Sequence, residues 1–127
     1  MRVALDTNRY VDLCKGAAET TEIVATAEEV FLPFVVLAEL RAGFALGRRT
    51  AENEHVLRLF LLKPGVRVLY ADEQTTHHYA AAFRQLRRQG TPIPTNDIWI
   101  AALVLQHGLA LHARDRHFDS LPQIVRA

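Results

Sequence analysis

The chain reads as an α/β protein built on a central, mostly parallel β-sheet of four to five strands flanked by helices. Three observations predict this. Short apolar or β-branched runs recur along the sequence, each bounded by polar or turn residues. Longer stretches with helical periodicity separate them, and several of these stop at a glycine. Strands that alternate with helices pair in parallel and are covered on both faces.

The first run, Arg2–Leu5, is strand-like, and Thr7–Lys15 follows as a helix that stops near Gly16. Ala18–Ala27 is rich in Ala, Thr and Glu and reads as a second helix. Val30–Leu32 is the next strand. Pro33–Leu46 carries proline at its start and Gly47 beyond its end, the asymmetry expected of a helix. Thr50–Leu62 is helical and Val66–Tyr70 extended. Glu73–Gln89 closes at Gly90, and Asn96–His107 closes at Gly108, both natural residues just past a helix end. Leu109–His112 and a short Gln123–Arg126 complete the strands. Gly90–Asn96, with two prolines, is the clearest loop. No repeat or low-complexity tract interrupts the series, so residues 1–127 read as a single domain.

Composition narrows the function little. Half the residues are hydrophobic and 23% are charged, as in a globular protein. A net charge of +1 does not announce nucleic acid. Of 15 basic residues only Lys15 and Lys63 are lysines. That bias suits phosphate forks and base stacking, and it equally follows from a GC-rich genome. A single cysteine, Cys14, rules out an internal disulfide, fits a reducing compartment and reads as a small core residue. No signal-peptide pattern opens the chain, and no apolar stretch approaches the ~20 residues of a membrane span. The expectation is a soluble, cytoplasmic protein.

Four acids stand where a carboxylate is awkward. Asp6 ends Val3-Ala4-Leu5, and Glu39 interrupts Phe34–Leu40. Asp97 opens Ile98–Leu105, and Asp115 follows Leu109–Leu111. An ionised carboxylate near a core is costly unless neutralised, and one shared divalent cation resolves all of these together. Sites in such sheets form beyond the carboxyl ends of strands, where Asp6 and Asp115 sit.

Each acid also has an ordinary reading. Asp6 and Asp97 stand where helix caps do, and a helix N-terminus favours negative charge. Asp97 shares a stripe with Ala101, Val104 and Leu105 and so turns inward. Glu39 shares a helical face with Val35, Val36 and Gly43, which aims it at the core side of its helix. Asp115, between Arg114 and Arg116, suits a surface salt bridge. Asp119 reads as a loop solvator or a fifth ligand. The six histidines form no metal constellation by spacing, and His117, close to Asp115, reads as structural. Arg84, Arg87 and Arg88 form a basic helical patch, either a solvated face or a phosphate contact. Arg41, Arg48 and Arg49 form another, and Trp99 reads as core.

The pieces Leu5-Asp6-Thr7-Asn8, Leu37-Ala38-Glu39-Leu40, Asn96-Asp97-Ile98-Trp99 and Arg114-Asp115-Arg116-His117-Phe118 resemble, in order and spacing, the PIN-domain family. They are closest in kind to the VapC-type toxins of bacterial toxin–antitoxin pairs. The resemblance spans nearly the whole chain. It implies a PIN-like fold and a metal-dependent endoribonuclease. Asp6, Glu39, Asp97 and Asp115 would be the acidic quartet. Asp6 and Asp97 would hold Mg²⁺, or Mn²⁺ as a substitute, with Glu39 and Asp115 bound directly or through water. Thr7, Asn96 and Asp119 would support them, and Arg84, Arg87 and Arg88 would contact RNA. The resemblance further implies a homodimer and a separate cognate antitoxin; the apolar helix surfaces around Phe31–Phe44 and Val56–Leu62 read equally as contacts for either or as ordinary core. One departure is Ala113, where many relatives carry Thr or Ser. Two rivals are a non-cleaving PIN-like binding module and an aspartyl-phosphate phosphatase. The second is weakened by Asn8, which stands where that chemistry uses another Asp.

Overall fold

The structure, a computed structural model, describes residues 1–127. Its strands are β1 (Arg2–Leu5), β2 (Glu29–Pro33), β3 (Val66–Leu69), β4 (Ala110–His112) and β5 (Val125–Arg126). Its helices are α1 (Thr7–Cys14), α2 (Ala18–Thr26), α3 (Phe34–Leu46), α4 (Thr50–Leu61), α5 (Glu73–Gln89) and α6 (Thr95–His107). All five strands form one sheet in the order β3-β2-β1-β4-β5, and every pairing is parallel. The expected sheet is therefore present and wholly parallel.

The central strand shows why the sequence folds this way. Val3, Ala4 and Leu5 are fully buried, because β1 is covered on both faces and has no solvent side to alternate toward. α6 is nearly as enclosed: Ile98 and Ile100–Val104 are all buried, as in a helix apolar on most sides. Asp6 caps α1 by accepting from the Arg9 backbone N–H at 2.8 Å. Asp72 and Thr75 form a reciprocal capping box at the start of α5. Gly90 and Gly108 end α5 and α6 in the left-handed region, where a side chain would be strained.

Two local expectations are corrected, and one short element is added. Pro33 ends β2 and precedes the first turn of α3 rather than opening it. The turn between β4 and β5 is a 3-10 helix over Arg116–Ser120, which carries too short a pattern to be read from periodicity. Cys14 is exposed rather than core, because α1 turns that edge toward solvent beside α4. No helix is long and apolar enough to cross a membrane.

One buried polar group makes the fold sensitive to pH. His112, on β4, is fully buried. Its Nδ1 faces the Ala127 main-chain oxygen at 3.3 Å and so carries the proton, while Nε2 meets the Thr20 hydroxyl at 2.9 Å as an acceptor. Burial holds its pKa below the ordinary histidine value. A histidine kept neutral in the fold contributes stability above its unfolded pKa, and that stability is lost as pH falls below it. Global stability should therefore decline as pH falls from neutral through about 6.5 and below. Urea titrations of wild type and His112→Gln across that range test this. An unchanged slope in the variant would assign the pH dependence elsewhere.

Candidate metal centre

The parallel sheet brings its carboxyl ends to one edge, and the four acids meet there. Asp6 is the first residue past β1, and its backbone N–H donates to His112 O at 3.2 Å, which ties the end of β1 to the end of β4. Asp115 lies three residues past β4 and caps the 3-10 turn, its Oδ1 accepting from the His117 backbone N–H at 2.9 Å. Asp97 lies in the first turn of α6 and Glu39 in the middle of α3. Asp6, Thr7, Asn8, Glu39, Asp97, Ile100 and Asp115 line a single cleft of about 80 Å³. That is well below the roughly 300–1,000 Å³ of sites that engulf a small organic ligand. A substrate larger than the cleft must present one group to it from outside.

The ordinary readings now separate. Asp6 caps a helix and lines the cleft at once. Asp97 caps nothing: α6 has no side-chain cap, and Asp97 Oδ2 instead meets His117 Nδ1 at 2.8 Å. Asp115 makes no salt bridge with its flanking arginines. Arg114 pairs with Asp12 at 3.2 Å, Arg116 forms no ion pair, and Asp115 Oδ1 lies 3.0 Å from His117 Nδ1. Glu39 is exposed rather than core-facing. Its Oε1 accepts from the Thr7 hydroxyl at 2.7 Å. By angle it does share a stripe with Val35 and Val36, but the helical wheel gives a direction, not what covers it. Here Val35 and Val36 are buried while Glu39 lines the cleft.

No lysine or arginine forms an ion pair with any of these four carboxylates. Burial raises Asp6 above the ordinary carboxylate range, offset in part by backbone N–H groups and by Arg9 and Arg114 at longer range. Burial also raises Asp97. The His117 bond opposes that rise, and the Asp115 and Glu39 charges add to it. Desolvated, mutually repelling carboxylates with no fixed counter-cation form a hard oxygen donor set. Such a set fits a divalent cation.

The other expected residues are placed as follows. Asn96 is exposed beside Asp97 but does not line the cleft. Asp119 is held by Arg126 at 2.9 Å, outside the cleft, so it is engaged as an ion pair rather than offered as a fifth ligand. Ala113 is buried, and its carbonyl accepts from Arg126 at 2.9 Å. Arg84, Arg87 and Arg88 are exposed on α5, three and four residues apart, and form no ion pairs. Arg87 borders a groove with Pro92, Ile93 and Ile98, and Arg84 and Arg88 border another with Gln85 and Gln89. Arg41 is committed to Glu54 at 2.6 Å. Trp99 is half-buried in an aromatic cluster with Tyr79 and Phe34. Phe31 is core, but Val56, Leu59 and Leu62 are exposed, and Val56 and Leu59 line an apolar groove with Tyr10, Leu13 and Phe60.

The residue missed by spacing is His117. Its nitrogen and one oxygen each of Asp97 and Asp115 lie within 4.8 Å of one another. The available signal was a histidine two positions after an acid that itself follows a strand.

Comparisons with known proteins identify the family. A family model described as the PIN domain matches residues 3–124. Ribonuclease VapC1 of Haemophilus influenzae (strain R2866) is 35% identical over 113 residues, covering 86% of this chain and 80% of that protein. Ribonuclease VapC4 of Mycobacterium tuberculosis is 29% identical over 90 residues, covering 71% and 69% respectively. The 2.2 Å resolution structure of VapBC-1 from nontypeable Haemophilus influenzae superposes with a TM-score of 0.87 at 27% identity, covering 100% of this chain and 97% of that one. With the family match extending over nearly every residue, this chain belongs to the PIN-domain family and is of the VapC type.

Proposed function

We propose that this protein is a metal-dependent endoribonuclease and the toxin of a toxin–antitoxin pair. The observation that carries the reading is the set of four carboxylates, from four separate segments, lining one small cleft without a lysine or arginine partner. The names of the relatives, ribonucleases of the VapC type, supply the substrate class.

Asp6 and Asp97 would hold the cation, with Glu39 and Asp115 bound to it directly or through water. Mg²⁺ suits oxygen donors, and Mn²⁺ is the natural substitute. When bound, the ion lowers the pKa of a water and offsets charge on the phosphate. The chain's own part is to orient. Thr7 fixes the Glu39 carboxylate, Asp6 is locked by its cap, and Ile100 closes the floor of the cleft. Water adds to phosphorus, one ribose oxygen leaves, and the acids carry the protons between them. Asn96 would orient the start of α6. Arg84, Arg87 and Arg88, exposed on α5 without ion-pair partners, would hold the RNA backbone.

The partner reading follows the related VapBC assemblies. A cognate antitoxin would cover the cleft and place a basic side chain among the acids. The exposed apolar groove of α1 and α4 would serve the antitoxin or a second copy of the chain in a homodimer.

The test is cleavage of a small-RNA pool by purified protein with Mg²⁺, Mn²⁺ or EDTA, alongside Asp6→Asn and Asp97→Asn. Metal-dependent cutting that both variants lose is the expected result. Metal-dependent RNA binding without cutting would instead identify a binding module.

A further inference from the structure

We propose that His117 is a metal ligand. Its Nδ1 would supply a nitrogen donor to the acidic centre and tilt that centre's preference from Mg²⁺ toward Mn²⁺. The inference rests on reading the cleft as a divalent-metal site, and it adds to that reading a donor outside the acidic quartet.

Spacing is the first argument. His117 Nδ1 lies 2.8 Å from Asp97 Oδ2 and 3.0 Å from Asp115 Oδ1. Ligands bound at ~2.1 Å on adjacent corners of an octahedron stand ~3 Å apart. The nitrogen therefore already sits at the separation of a neighbouring ligand from an oxygen of each acid. All three atoms fall within 4.8 Å of one another.

Placement is the second. The next residue, Phe118, is 1% exposed and anchors the turn in the core. The His117 backbone N–H is bonded to Asp115. The backbone that carries the ring is thus fixed on both sides, and the ring is partly open to solvent, so an ion can reach it.

Direction is the third. Oxygens of two carboxylates converge on Nδ1, and Nε2 has no protein partner. In the tautomer protonated at Nε2, the Nδ1 lone pair faces the same point as those oxygens. No ligand has to be brought in from elsewhere.

The donor type decides the preference. Mg²⁺ demands hard oxygen and sheds water reluctantly, whereas a first-row transition ion accepts imidazole nitrogen readily. The rival role is a placeholder, an imidazolium that neutralises the acids and is expelled when the cation enters.

Pulsed electron paramagnetic resonance on Mn²⁺-loaded protein separates the two, with metal titrations of wild type, His117→Ala, His117→Gln and Asp97→Asn. A ligand gives the modulation of a directly bonded nitrogen in wild type, absent from both His117 variants. His117→Ala should lose about tenfold or more in Mn²⁺ affinity and less in Mg²⁺ affinity. Bound Mn²⁺ without that modulation, or tighter binding by His117→Ala, overturns the inference and leaves the nuclease reading standing. No Mn²⁺ bound by wild type, or binding indifferent to Asp97→Asn, overturns both.

Discussion

Replacing Asp97 by Asn should raise the metal-free melting temperature at pH 7 by about 3–5 °C while weakening divalent-cation binding more than about a hundredfold. The two effects have one origin. Asp97 is partly desolvated and feels the charges of Asp115 and Glu39, and these causes hold its pKa above the ordinary 3.8. A carboxyl whose folded pKa is raised contributes stability only in its protonated form. That contribution is complete below the unfolded pKa and is lost as pH rises through the folded one. At pH 7 the metal-free fold therefore carries an ionised group that it disfavours, and the amide removes the charge. Asn keeps an oxygen that can accept from His117, so geometry need not change. The gain should shrink as pH is lowered toward 4, because the wild-type carboxyl takes up its proton at a higher pH than an ordinary aspartate. Calorimetry in EDTA at both pH values measures it. A lower melting temperature for the variant at pH 7 would mean that the His117 pairing outweighs repulsion, and that the acids are structurally balanced without a cation.

Phe118→Ala should cost about 3–5 kcal/mol, the range for emptying a buried aromatic site. The ring is 1% exposed, belongs to the main core cluster, and lies under the Arg126 guanidinium at 5.8 Å. The side chains on either side in the sequence are His117 and Asp119, and Asp115 caps the same turn. Losing the anchor should therefore loosen Asp115 and His117 together, and cation affinity should fall even where the protein stays folded. Denaturant unfolding gives the first number, and metal titration at low temperature gives the second. Phe118→Leu, which refills most of the space, should recover most of both. A loss below about 1 kcal/mol would show that Arg126 and the neighbouring strands hold the turn without the ring.

The order of elements was legible because each strand is a compact apolar run and each long helix has a chemical stop signal. Gly90 and Gly108 mark helix ends as clearly in the sequence as in the backbone. Convergence of the acids was legible too, since a parallel sheet leaves only one edge for residues that follow strands. What escaped was whatever depends on the far side of a contact. Glu39 has the angular position of a core residue, but whether a helix stripe meets packing or a cleft is decided by other elements. Cys14 is small and lies among apolar neighbours, yet the packing of α1 against α4 leaves it at an edge. Arg114 and Arg116 flank Asp115 in sequence, but the nearer partner in space for Arg114 is Asp12. His117 gave a spacing signal, but only the fold of the 3-10 turn aims its ring at two carboxylates.

The pairing of β1 with β4 joins Val3 to Ala110, nearly the full length of the chain away. Contacts of such separation form late, because a long loop must close before they repay its entropy. Asp6 can meet Asp115 only after that pairing. During synthesis, then, the acidic edge stays unassembled until the final strands have emerged, and a partly made chain carries the acids without the site. If the protein is a nuclease, the topology itself keeps it harmless to the ribosome that is making it, and inhibition by a partner becomes necessary only at the moment of completion.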